Sequence, residues 1–390
     1  MKTPQPSTAP ASSCLRLALL VGLSWPAGLA SGAGGWQPDG FHVFPGESIQ
    51  SGLDAAARNP TNKVVKVHAG VYRPDSKRQA LIWLNRQHDG ITLEAIGNVT
   101  LSAANPEISQ PESASHPAVV NHVVYFGDGV SPQTILRGFK ITGAHHFVTT
   151  DGPEVEPNRE LKRNLFFYAD GGAVKIFGHS SPTLQHLEIA DNYASPCAGG
   201  ISVQQEVIGA SPGGDPVRIE DCIFRQNRSQ ITGAAVDLLP GSSAVLSNCL
   251  FVGNLANLGA NYIAPNPAQP EFTNSAPLTV FPSSRAVVLQ CTFAGNRNGI
   301  EDLGSHSQYR DCIFWRNNLP GGFYASERYE LSLSDNAKVS GCWIAGPVLD
   351  SRGTISRQLN RFDGFDPQFD RDFNPASSSC QGAGFRMATK

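Results

Sequence analysis

The sequence predicts an all-β fold, a right-handed parallel β-helix closed at its N-terminal end by a short capping helix. Three observations predict it. A short phrase recurs along the chain, a glycine-led strand stands at a nearly constant distance before each copy, and the composition favours turns over long helices.

Internal repetition is the strongest of these signals, because a chain that repeats one supersecondary unit stacks it. Leu184-Gln185-His186-Leu187-Glu188-Ile189 runs on to Asp191-Asn192, and Ile219-Glu220-Asp221-Cys222-Ile223-Phe224 to Gln226-Asn227. Leu246-Ser247-Asn248-Cys249-Leu250-Phe251 leads to Asn254, Val288-Leu289-Gln290-Cys291-Thr292-Phe293 to Asn296, and Tyr309-Arg310-Asp311-Cys312-Ile313-Phe314 to Asn317. Weaker copies flank them at Leu136–Ile141 and Val339–Ile344. Three columns result. One holds Phe139, Leu187, Cys222, Cys249, Cys291, Cys312 and Cys342; the next, two residues on, holds Ile or Phe; the third, three further on, holds Asn. Read as one strand, the phrase points its first two columns to the same side, into the bore. The intervals between copies run from 21 to 48 residues. The shortest is one coil, and the longer ones carry loops.

The second strand reads Gly172-Ala173-Val174-Lys175-Ile176, Gly200-Ile201-Ser202-Val203, Ala235-Val236-Asp237-Leu238, Pro277-Leu278-Thr279-Val280 and Tyr329-Glu330-Leu331. Four of the five lie 12 residues before their inward Leu or Cys, the Ser202 coil being longer by an insertion over 207–216. The coil at Ile300-Glu301-Asp302-Leu303 is one residue short, so either Glu301 or Asp302 takes the middle position.

The chain has 390 residues, with 39 Gly, 28 Pro and 2 Met, and 16% of it is charged. That suits many short strands joined by turns. A formal charge of −3 offers no basic footprint for nucleic acid. At the N-terminus, Lys2 and Arg16 flank or enter an apolar stretch, Leu15–Leu23, too short to cross a bilayer, and small residues follow to Ala33. Residues 1–33 are therefore expected to be a signal peptide, 36–346 the β-helix with its cap, and 347–390 a closing segment. The location is secreted or cell envelope, and no later segment reads as transmembrane. Seven of the eight cysteines follow the signal. The stacked ones read as core, where a thiol behaves as a small hydrophobe; their spacing does not suit a metal site. Cys197 and Cys380 stand outside the column, and the odd number leaves at least one thiol without an intrachain partner.

The phrases Gly171-Gly172-Ala173-Val174-Lys175-Ile176 and Asp221-Cys222-Ile223-Phe224-Arg225-Gln226-Asn227 resemble the repeat of right-handed parallel β-helix proteins of the pectate-lyase-like superfamily. The opening Val43-Phe44-Pro45-Gly46-Glu47-Ser48-Ile49-Gln50, through to Val65–Tyr72, is similar to that superfamily's entry. Its helix, near 48–58, has Ser48 as N-cap and Ile49, Leu53 and Ala56 on its apolar face. The resemblance covers about residues 41–346. It implies a carbohydrate-directed protein, a polysaccharide lyase or hydrolase acting on acidic polysaccharide; the alternative is a non-catalytic adhesion solenoid that binds surface glycans. Thr149-Thr150-Asp151-Gly152 is faintly similar to the Asn-Thr-Asp-Gly of polygalacturonases. The paired Asp-Asp, the Gly-His and the Arg-Ile-Lys that accompany it there are missing, as are the arginine-proline and Asp-His-Asn segments of pectate lyases.

Candidate site residues come from the outward column of the glycine-led strands: Lys175, Ser202, Asp237, Thr279 and Glu330, with Glu301 if it takes the middle position. Asp237 and Glu301 would then lie two rungs apart, about 9.6 Å, near the upper end of the range for an inverting carboxylate pair. Lys175, Asp237 and Glu301 form the expected catalytic set. Lys175 would be the base of a β-elimination on uronic acids, and the acids offer a place for Ca²⁺. Ser202, Thr279, Glu330 and the outward Trp343 are the expected substrate contacts. A solvated face of mixed charge fits the same column. Long loops at 103–122, 144–170 and 255–277 border the solenoid. The second of them holds His145, His146, Asp151, Glu154, Glu156, Arg159 and Lys162.

Overall fold

The computed structural model describes residues 33–387 apart from 128, 150–169, 206–213, 259–275, 321–327, 334–335, 351–354, 363 and 377. Residues 1–32 of the expected signal segment lie outside the described residues, as do Asp151, Glu154, Glu156, Arg159 and Lys162.

The chain is a parallel β-helix. A coil is three or four short strands, as in Ile201–Gln204, Val217–Glu220, Ile223–Arg225 and Arg228–Ser229. Each pairs in parallel with its equivalents above and below: Cys222's neighbours Ile223 and Phe224 stand level with Glu188 and Ile189 on one side and Leu250 and Phe251 on the other. The antiparallel pair Gly35–Gln37 with Gly40–Val43 starts the solenoid. Helix Ile49–Ala57 covers its open end, with Ser48 Oγ accepting from the Ser51 amide at 3.2 Å and Ile49, Leu53 and Ala56 buried, as expected. Covering the end blunts edge pairing.

One expectation needs correcting. The repeated phrase is two strands, not one. His186, Asp221, Asn248, Gln290 and Asp311 take φ between 50° and 56°, and Gly138 and Gly341 take 86° and 66°. This left-handed residue bends the chain immediately before the Cys column. Asn, Asp and Gly tolerate it best, and they occupy five of the seven positions. A second left-handed residue precedes each Asn: Asp191, Gln226, Gly253, Gly295 and Arg316. The two bends make the corners of the coils from Leu187 to Cys312. Each thiol closes the first of them. Cys222, Cys249, Cys291, Cys312 and Cys342 lie 3.2–3.4 Å from the carbonyl two residues back, and all five are fully buried and free. Behind them Phe224, Phe251, Phe293 and Phe314 stack, with ring centroids 4.7, 4.3 and 5.2 Å apart.

The Asn column is a continuous ladder. Each side-chain amide donates to the next carbonyl oxygen, Asn192 to Asn227 at 3.1 Å, Asn227 to Asn254 at 3.1 Å, Asn254 to Asn296 at 2.9 Å and Asn296 to Asn317 at 2.8 Å. The C-terminal tail turns back along the outside of the solenoid. Gly384 donates to Asp311 O, Phe385 to Thr292 Oγ1 and Arg386 to Asn248 Oδ1, each at 2.8 Å, so successive tail residues meet successively earlier coils. Cys380 and Ala383 are buried there against Ile313.

Candidate functional site

The glycine-led strands form one parallel sheet, and its register places the expected column. Lys175 is level with Ser202, Ser202 with Asp237, Asp237 with Thr279, and Thr279 with Glu301. Glu301 therefore takes the middle position and Asp302 does not. Their strand neighbours Val174, Ile176, Val236 and Leu238 fill the bore, so the column points away from it.

The face is neither solvated nor open. Lys175, Ser202, Asp237, Thr279 and Glu301 are all 0% exposed. The segments leading into the Lys175 and Asp237 strands fold across the column: a Cβ on Gly171 would meet Ser202 and Lys175, and one on Gly233 would meet Asp237. Beneath them Lys175 Nζ donates to both carboxylate oxygens of Asp170 at 2.9 Å, to Gln204 Oε1 at 2.9 Å and to Ser202 Oγ at 3.2 Å. Thr232 Oγ1 donates to Asp237 Oδ2 at 2.7 Å, while Asp237 Oδ1 has no hydrogen-bond partner among the described residues. Burial pushes the Asp237 carboxyl up to about 8, against the Thr232 bond, so it carries its proton at neutral pH.

Glu330 is not in the column. Glu301 pairs with Ser332, two residues later than the constant spacing predicts. Glu330 instead ends the Asn ladder, its carboxylate accepting the backbone and side-chain amides of Asn317. Pro347 follows Ile344 by the three residues that elsewhere bring Asn, so this coil has no side-chain amide to offer. Trp343 lies on a different sheet. It is half-buried, its ring 5.2 Å from Phe365 and 5.5 Å from the Arg361 guanidinium, so the closing segment covers the outward slot expected for it. Among the described residues no three His, Cys, Asp or Glu side chains converge to hold a metal ion.

The titratable side chains that do face open space lie elsewhere. A groove of about 440 Å³ is lined by Ala144, His145, His146, Asp191, Asn192, Tyr193, Gln226, Arg228 and Leu258. The ladder builds it. Asn192 Oδ1 holds the Ala144 amide at 3.2 Å, so His145, Tyr193 and Arg228 each follow a ladder position in three successive coils. Tyr193 and Arg228 are register partners in a two-stranded parallel sheet. His146 takes φ 55°, and the kink sets its ring edge-on to His145 at 4.6 Å and to Tyr193 at 4.7 Å. His145 Nδ1 lies 3.1 Å from the Ala114 carbonyl. Only a protonated nitrogen bonds a carbonyl, so the neutral ring keeps its lone pair on Nε2. Burial holds both histidines below the usual imidazole range and pushes the Tyr193 hydroxyl up. The sequence singles out His145 and His146 but misses Tyr193 and Arg228; the column one residue past the ladder was the signal that contained them.

No family description matches the chain, and no curated protein matches it. Among solved structures it is similar to the PL6 family alginate lyase AlyGC, with a TM-score of 0.34 and 9% identity, covering 88% of this chain and 56% of that one. It is also similar to the catalytic domain of a GH87 α-1,3-glucanase in complex with tetrasaccharides (TM-score 0.29, 9% identity, 88% and 68% covered). The same domain with nigerose gives 0.27 and 11%, with 81% and 60% covered. The chain thus spans little more than half the length of the alginate lyase, and likeness at this level transfers no residue role.

Proposed function

We propose that the chain is an exported, carbohydrate-directed β-helix that holds an acidic polysaccharide in the groove at His145, Tyr193 and Arg228 and cleaves it by β-elimination. The observation that carries this reading is the register of Tyr193 with Arg228 beside His145 in one open groove. Those side chains supply the three parts the reaction needs. Arg228 pairs with the carboxylate of a uronate residue and makes the proton on the adjacent carbon more acidic. His145 Nε2 takes that proton. The electron pair left behind forms the carbon–carbon double bond and expels the glycosidic oxygen, which takes a proton from the Tyr193 hydroxyl. Water then returns a proton to Tyr193 and removes one from His145.

Two competing readings stay in view. Lys175, Asp237 and Glu301 are the set expected from the sequence, and a protonated Asp237 is in the state a general acid needs. A non-catalytic glycan-binding solenoid is favoured by a different observation: among the described residues Asp191 is the one carboxylate lining the groove, so the carboxylate pair of a hydrolase is not assembled there. The test is incubation of the purified protein with alginate, polygalacturonate and a neutral glucan, following unsaturated product and reducing ends. The proposal expects unsaturated ends from an acidic polymer and a loss of at least a hundredfold in Tyr193→Phe. Activity lost in Asp237→Asn but kept in Tyr193→Phe would move the site to the buried column. Binding without product would leave the adhesion reading.

A further inference from the structure

We infer that His146 is a second cation of the groove, switched by protonation, so that an acidic polysaccharide binds more tightly as the pH falls. The inference rests on the groove being the polysaccharide site. His145 has its Nδ1 engaged by Ala114 and its Nε2 assigned to proton abstraction. Among the described residues His146 shares the groove without a bond of that kind, and its ring stands edge-on to both His145 and Tyr193. Arg228 contributes the permanent positive charge and Asp191 the negative one; with His145 and Tyr193 these are the titratable and charged groups facing His146 among the described residues.

Burial, and then the neighbouring His145, disfavour the charged form of His146. A polyanion lying against Arg228 reverses that balance, because it rewards a positive charge in the same cavity. Linkage makes the effect reciprocal. A ligand that favours the protonated ring is itself bound more tightly when the ring is protonated. Catalysis runs the other way, since His145 must be neutral to act as a base. Acidification therefore lowers Kd and kcat together.

The experiment is calorimetric titration of the full chain with polygalacturonate and polymannuronate fragments between pH 5 and 8, in buffers of different ionisation enthalpy. The expected result is proton uptake on binding near pH 6 and a Kd about tenfold lower at pH 5.5 than at 7.5 for at least one polymer. His146→Gln should bind with a much shallower pH dependence of Kd and with proton uptake cut by at least half, the remainder being that of His145, while retaining the fall of kcat with acid. Binding that is pH-independent in the wild type, or proton uptake undiminished in His146→Gln, overturns the inference and leaves the proposed function standing. Binding of neither polymer at any pH overturns both.

Discussion

Glu330 accepts the backbone amide of Asn317 at 3.2 Å and its side-chain amide as well, and so ends a ladder of five asparagines with a carboxylate in place of a sixth. Every donor in the ladder is buried, so its last acceptor matters as much as any in the middle. Glu330→Ala leaves the Asn317 backbone N–H and one of its two side-chain N–H groups without an acceptor, the other still donating to Phe293 O at 2.9 Å, and an unmet buried donor costs about 1–3 kcal/mol. The expected loss is about 2–4 kcal/mol in urea unfolding. Glu330→Gln, which keeps one acceptor oxygen, should lose less than half of that. Equal losses in the two variants would show that the carboxylate is not the ladder's terminus.

Asp237 gives a prediction in pH. Its carboxyl titrates at about 8 when folded, against 3.8 as its ordinary value. Between those values the unfolded chain releases this proton and the folded chain keeps it. Asp237 therefore favours the folded state at low pH, and this contribution is lost as the pH rises through 8. The lost stability is roughly 6 kcal/mol at about 1.4 kcal/mol per pH unit. Asp237→Asn removes the titration. The variant should show a flatter dependence of stability on pH between 4 and 8, with the largest gain over the wild type at pH 8, measured by denaturant midpoints.

The Lys175–Asp170 pair predicts non-additivity. Both side chains are fully buried and 2.9 Å apart. Removing one partner strands a charge, which costs about 3–5 kcal/mol. Lys175→Met alone should be strongly destabilised, and Asp170→Leu added to it should recover most of the loss. A double-mutant cycle reads the coupling, and additive losses would contradict a direct buried pair.

The tail predicts a local effect. Gly384 takes φ 79°, and a Cβ there would run into Ile313 and Thr292. Gly384→Val should lift the tail from the coils at Ile313 and Trp343. Faster amide exchange at Gly384 and Phe385, with a red-shifted tryptophan emission, is expected while the solenoid's own strands stay protected. Exchange that accelerates throughout would mean that the tail is part of the cooperative core.

Much of the fold is legible from Cys222, Cys249, Cys291 and Cys312 and from Phe224, Phe251, Phe293 and Phe314. A side chain that fills a bore is constrained the same way in every coil, and that constraint repeats in the sequence. The bends beside them are harder to see, since His186 and Gln290 take the left-handed conformation without being residues that announce it. The register of the outward column follows from counting until Glu330, where the connecting turn is two residues shorter and the count goes astray. Its burial is not legible at all. Nothing in the pattern around Lys175 or Asp237 says that the preceding segment folds over them.

By itself, then, the amino-acid order determines the coil, the contents of its bore and the ladder at its corner, because those depend on short-range periodicity and on contacts between equivalent positions. The tertiary structure decides which polar side chains meet solvent. His145, Tyr193 and Arg228 are separated by 48 and 35 residues and share a groove only because coils of unequal length restore the same rung spacing. Solvent exposure depends on what packs outside the coil, where loop lengths vary and no period constrains them.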